Sequence, residues 1–227
     1  MPKKVVEKVI DETEKHLKML KELGVDQLSR EKTDPVYARK LRALNQLRRE
    51  LGDCQRCPLS KTRTKIVFGE GDPCARIVFV GEAPGEKEDE SGKPFVGSAG
   101  RILTDIIERG MKIPRSSVYI CNVIKCRPPK NRDPRPEEIQ ACRPFLEKQL
   151  KIIQPEVIIA LGKYASQWLL NTQLPISQLR GRWGEYQGIP VMPTYHPAYL
   201  LHNQKGKREV WQDIKKVINY LKQRSSK

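Results

Sequence analysis

Four cysteines constrain this chain more than any other feature. Cys54 and Cys57 form a C-x2-C pair, and Cys126 and Cys142 lie far downstream. If the four serve one site, the fold must bring distant stretches to a single point. The chain opens Met1-Pro2-Lys3-Lys4, a charged start with no apolar core of a secretory signal, so the expected compartment is the cytoplasm. In a reducing compartment, clustered cysteines bind metal more often than they pair as disulfides. Four thiolates without nearby histidines suit an iron–sulfur cluster or an all-cysteine zinc site, and spacing alone does not separate these. Proline follows three of them closely, in Cys57-Pro58, Cys126-Arg127-Pro128 and Cys142-Arg143-Pro144, which favours rigid ligand loops. Cys121 sits in an apolar run and reads as a small buried residue; Cys74 has no ligand-like setting.

The 227 residues carry a formal net charge of +16. An excess of that sign points to a polyanionic partner, most often nucleic acid. An ion-pair-rich surface would explain the number of charges but not their imbalance. No apolar run approaches the ~20 residues of a membrane span.

Residues 1–50 read as an N-terminal helical extension, and residues 51–227 as the main domain. In the extension, Val5, Val6, Val9, Ile10, Leu17 and Leu20 give one rough apolar stripe, and Tyr37, Leu41, Leu44, Leu47 and Leu51 a second. An accessory helical pair docked on the main domain and a partner- or DNA-binding arm are both consistent with this pattern. After it the grammar changes. Arg76–Val80, Val118–Ile124 and Val157–Leu161 are apolar runs expected as buried parallel strands. Ile189–Pro193 is a weaker fourth strand whose prolines suit a sheet edge. Helices are expected at Ala99–Gly110, from Pro136 to about Ile153, after Gly162, and over Lys207–Lys222. Strands alternating with helices imply an α/β fold with a mostly parallel sheet covered on both faces.

Ligands of such sheets bind beyond the carboxyl ends of the strands. Three polar segments fall there: Gly81–Gly100, Asn122 with Lys125–Pro129, and Tyr195–Leu201. One pocket can therefore collect a carboxylate, an amide, an aromatic ring and an imidazole. The glycine-rich segment matches neither the P-loop nor the dinucleotide fingerprint.

Together the C-x2-C pair, the stretch from Gly81-Glu82-Ala83-Pro84-Gly85 to Phe95-Val96-Gly97, Asn122-Val123-Ile124-Lys125-Cys126-Arg127-Pro128-Pro129, and His196-Pro197-Ala198-Tyr199-Leu200-Leu201 resemble the family 4 uracil-DNA glycosylases, the iron–sulfur type of bacteria and archaea. The resemblance runs from about Leu51 to Leu221. It implies a three-layer α/β/α fold with a central four-stranded sheet, and a [4Fe-4S] cluster on Cys54, Cys57, Cys126 and Cys142. It implies that the protein flips uracil out of DNA and hydrolyses its N-glycosidic bond. Phe95 matches the position that stacks on the base, Asn122 the amide that reads it, and His196 the donor to O2 of the departing uracil. Glu82 matches the motif carboxylate, expected to orient water and stabilise a cationic sugar. Glu88 matches a position walling the pocket near C5, and Gly81, Ala83 and Gly85 offer backbone contacts. Arg127, Lys130 and Arg132 are expected on DNA phosphates, with Leu200 and Leu201 as the wedge filling the vacated stack.

The expected partner is uracil-containing DNA, with the N-terminal helices as a place for a replication or repair partner and the chain acting as a monomer. A related glycosylase acting on another damaged base is the main alternative; a non-catalytic DNA-binding module with structural zinc is a second. A relative that traps DNA covalently is disfavoured, because Arg127–Arg135 contains no histidine nucleophile.

Overall fold

The computed structural model describes residues 34–225. The chain divides into two compact units, residues 1–39 and 40–227. The first expected apolar stripe, Val5 to Leu20, lies outside the described residues. Helix α1 spans Pro35–Leu51, and its Leu44, Leu47 and Leu51 are buried in the core of the second unit.

Six strands form one sheet: β1 (Glu70–Gly71), β2 (Ile77–Gly81), β3 (Tyr119–Asn122), β4 (Val157–Leu161), β5 (Gly184–Tyr186) and β6 (Ile189–Thr194), in the order β1-β3-β2-β4-β6-β5. The inner four, β3, β2, β4 and β6, are parallel. The resemblance anticipates these four. The structure adds β1 and β5 as short antiparallel edges. The central runs are buried at every position, as an apolar strand covered on both faces must be.

Alternation along the strands sorts the core into two clusters. Val78, Val80, Cys121, Ile158, Ala160 and Val191 face one way, toward α1, α4 (Pro136–Ile153) and α5 (Lys163–Leu170). Ile77, Phe79, Ile120, Ile159, Leu161 and Met192 face the other, toward α3 (Ser98–Asp105) and the closing helix α7 (Gln204–Ser225). Two short helices, α2 (Glu86–Ser91) and α6 (Ile176–Leu179), complete the α-helices among the described residues. The three layers follow from this period of two.

The proline-bearing strand is not the edge it was expected to be, because β5 pairs outside it. The ladder tolerates the prolines at its ends. Pro190 precedes the first residue aligned with β4, Val191, and Pro193 lies beyond the last residue aligned with β5. The carbonyl of Pro193 turns outward to accept from the Gly181 amide at 2.9 Å, so its missing N–H costs β4 no bond. The helix expected through Gly110 ends at Asp105 and continues as a π-helical turn over Ile106–Met111.

Candidate active site and cysteine nest

Three strands deliver the pocket. Gly81 and Asn122 end β2 and β3 side by side in register. Thr194 ends β6, and two residues later comes His196. A cavity of about 380 Å³ gathers Glu82, Ala83, Gly85, Glu88, Phe95, Asn122, Arg132 and His196. A larger groove, about 740 Å³, runs past Arg143, Trp168 and Tyr186 and contains none of the expected site residues.

Asn122 is 1% exposed, and its Oδ1 is buried without a hydrogen-bond partner. Its carbonyl accepts from Nζ of the fully buried Lys125 at 2.7 Å, and the same ammonium donates to Gln149 Oε1 at 2.6 Å. Gly81 lies against Asn122 and does not line the cavity. A Cβ there would come within 2.4 Å of Asn122 Oδ1 and 2.6 Å of the Phe95 ring, so only glycine lets both approach. Phe95 is 6% exposed and has φ +53°, rare for an aromatic residue. Its ring lies 5.6 Å from that of His196, tilted by 34°.

His196 Nδ1 accepts from the Ala198 amide at 3.2 Å, which places the ring proton on Nε2. Burial lowers its pKa to about 4, so the imidazole is neutral near pH 7. Gly162, with φ +87°, permits this packing: a Cβ there would sit 2.9 Å from His196 Cβ. Burial, with a second push from Asp133 and opposition from Lys163, raises Glu82 to about 7. Asp133 accepts from the Tyr164 hydroxyl at 2.5 Å. Sequence reading did not single out Asp133, Lys163 or Tyr164. The signal available was slight, since Asp133 lies four residues beyond the Asn122–Pro129 motif.

Glu88 is less free than a pocket wall needs to be. Its carboxylate accepts from the amides of Gly85 at 3.1 Å, Val96 at 2.9 Å and Gly97 at 2.8 Å, stapling the two arms of the loop together. Arg127 is paired with Glu86 at 3.2 Å, and Arg132 forks onto buried Glu138 at 2.5 and 2.9 Å. Lys130 is exposed at φ +55°. The leucine pair divides: Leu200 is 2% exposed within the core, and Leu201 is 44% exposed. Leu200 therefore cannot act as a wedge from this position. The reason is local, because consecutive residues of the short 3₁₀ turn Pro197–Leu201 point in different directions.

The four cysteines converge on one face of the sheet. Cys54 and Cys57 follow α1, Cys126 follows β3, and Cys142 lies inside α4 with Pro144, not in a loop as its proline suggested. All are free thiols packed on the same core cluster. Burial first, then Cys142, pushes the Cys126 thiol up to about 12. Cys57 and Cys142 are also raised, chiefly by burial and partly by each other's neighbours in the nest. Cations edge the sulfurs: Arg56 lies 3.2 Å from Cys54 Sγ, and Arg63 lies 3.7 Å from Cys126 Sγ. Among the described residues no three such side chains are gathered to hold a single metal ion.

A family model described as the uracil DNA glycosylase superfamily matches residues 68–215. A type-4 uracil-DNA glycosylase of Thermotoga maritima is 49% identical over 173 residues, covering 74% of this chain and 90% of the relative. One of Sulfurisphaera tokodaii is 43% identical over 183 residues, covering 77% and 83%. A type-5 uracil-DNA glycosylase of Thermus thermophilus is 37% identical over 149 residues, covering 57% and 68%. With the parallel sheet and the pocket at its carboxyl end in place, the extent of these matches makes the chain a member of the uracil DNA glycosylase superfamily.

Proposed function

We propose that the pocket receives a uracil extruded from DNA and that the protein hydrolyses its N-glycosidic bond, leaving free uracil and an abasic site. The observation that carries this is the buried, unpartnered Oδ1 of Asn122 in the cavity that the Phe95 and His196 rings also line. A buried acceptor left without a donor costs about 1–3 kcal/mol, and uracil N3–H supplies that donor. The amide's nitrogen then faces O4. Cytosine presents the reverse pattern on the same edge and leaves both groups opposed.

Phe95 stacks on the extruded base. His196, neutral with its proton on Nε2, donates to O2 as negative charge gathers there during bond cleavage. Glu82 orients the water and offsets the positive charge that develops on the sugar. Ala83 and Gly85 provide the backbone lining beside it, and Gly81 keeps the approach open. Arg127, Lys130, Arg132 and the exposed Leu201 meet the DNA. The first and third exchange their carboxylate partners for phosphate.

Cys54, Cys57, Cys126 and Cys142 would hold a [4Fe-4S] cluster. What supports the reading is the packing of four free thiols against one core cluster, with the flanking Arg56 and Arg63 suited to an anionic thiolate centre. When bound, such a cluster ties α1, β3 and α4 together and contributes folding free energy. The segment ahead of the second unit can take a replication or repair partner, with catalysis in the unit that begins at Lys40, in a monomer working in a prokaryotic cytoplasm. No helix among the described residues is long and apolar enough to cross a membrane.

The deciding experiment is alkali-induced strand scission of an oligonucleotide carrying one uracil, beside a thymine control and a His196→Ala variant. Uracil-only scission that falls sharply in the variant is expected. Scission of neither oligonucleotide by folded protein would sink the assignment.

A further inference from the structure

Phe95 is the pocket's largest wall, yet its backbone sits where aromatic residues rarely sit. A non-glycine residue in that region costs ~1–3 kcal/mol and persists only where its surroundings over-determine it. The surroundings come from two sides. Glu88 accepts from the amides that follow, Val96 and Gly97. On the opposite side one guanidinium nitrogen, Arg115 Nη2, donates to the carbonyls of both Pro94 at 2.9 Å and Phe95 at 3.1 Å.

Arg115 is itself fixed. Its Nη1 donates to Thr104 Oγ1 at 3.0 Å, and that hydroxyl donates to the Gly100 carbonyl at 3.0 Å. Its backbone amide donates to Glu108 Oε1 at 3.3 Å. The Phe95 carbonyl is packed so closely on α3 that a Cβ at Gly100 would lie 1.9 Å from its oxygen. That packing leaves the carbonyl little room to turn toward another donor. Arg115 does not line the pocket and belongs to none of the motifs that carry the family resemblance.

We propose that Arg115 is a positioning residue for uracil excision: by holding the Pro94 and Phe95 carbonyls it locks the left-handed turn that aims the Phe95 ring at the base. The proposal rests on the uracil reading of the pocket. Without the guanidinium, two carbonyls lose their donor and the turn can relax to negative φ, swinging the ring off the pocket wall.

The test uses the full chain, wild type against Arg115→Ala and Arg115→Lys. It measures inhibition by free uracil, single-turnover excision, binding to an abasic-site oligonucleotide, and the thermal midpoint. Arg115→Ala is expected to weaken uracil inhibition and slow excision together, by up to ~100-fold, the scale of a ~1 Å misplacement. Abasic-DNA binding should not change. Lysine, whose single ammonium can reach the carbonyls but cannot at the same time hold Thr104 Oγ1, should restore only part of the loss. Should the alanine variant fail to fold, the lysine variant alone decides: weaker uracil inhibition with intact abasic-DNA binding supports the proposal. Unchanged uracil inhibition in a soluble variant overturns it, as does a loss that merely tracks abasic-DNA binding and the thermal midpoint. An inactive wild-type protein would instead reject the uracil reading beneath it.

Discussion

The two faces of the sheet handle unsatisfied chemistry in opposite ways. One face holds the cysteine nest, where two buried and two half-buried thiols pack on apolar side chains and are edged by arginines. The other carries Phe95, and at the strand ends between them the pocket keeps an orphaned amide oxygen, a left-handed aromatic residue and a carboxylate raised to about 7. A group enclosed once, during folding, would need rigidly held ligands, and Cys126 and Cys142 are buried just past a strand and inside a helix. A transient base must find its partners vacant at every turnover, so the pocket retains unmet bonds and strain. Lys125 touches both regions: it follows β3, precedes a nest cysteine, and bonds the Asn122 carbonyl.

The sharpest way to break this contrast is at His196. Removing one preorganised donor to a developing anion costs ~10²–10³ in turnover. His196→Ala should lose that much in single-turnover excision while its thermal midpoint stays near wild type. A variant that unfolds instead would place His196 with the structural residues. In the nest, Cys126→Ala should do the reverse, cutting soluble, iron-loaded yield more than the excision rate of the folded fraction. Normal yield and iron content with selective loss of turnover would erase the distinction.

The leucine pair tests the contrast over one residue. Leu200→Ala empties a core site and should destabilise the protein by ~2–5 kcal/mol in denaturant unfolding. Leu201→Ala should leave stability nearly unchanged and slow excision from duplex more than from single-stranded DNA. Equal effects on unfolding would contradict the burial difference. The smallest expected effect is in pH. Glu82 is ionised only above about 7, and His196 becomes charged only below about 4. Excision should therefore rise with pH through about 7, and Glu82→Gln should remove that limb. A limb that survives the substitution belongs to another group.

The sequence makes the layered fold legible because the buried parallel strands are uninterrupted apolar runs. Val157–Leu161 reads the same in both views. Strands β1 and β5 escaped notice because two- and three-residue edges are too short to show alternation. Asn122, Phe95, His196 and Glu82 were reachable through the resemblance of their motifs to the family, and they share one cavity. What spacing could not convey is occupancy: which face of a 3₁₀ turn Leu200 takes, or that three amides already use the Glu88 carboxylate. Arg115 was invisible for a related reason. Its role depends on carbonyls twenty residues upstream, and no local pattern announces a side chain that serves another residue's backbone.

The Ala198 amide that fixes the His196 tautomer has a consequence for recycling. An imidazole that only lends a hydrogen bond returns to its starting state when the base departs. On the proposed mechanism uracil would leave as an anion and collect its proton from solvent, so this residue would need no recharging step between one lesion and the next.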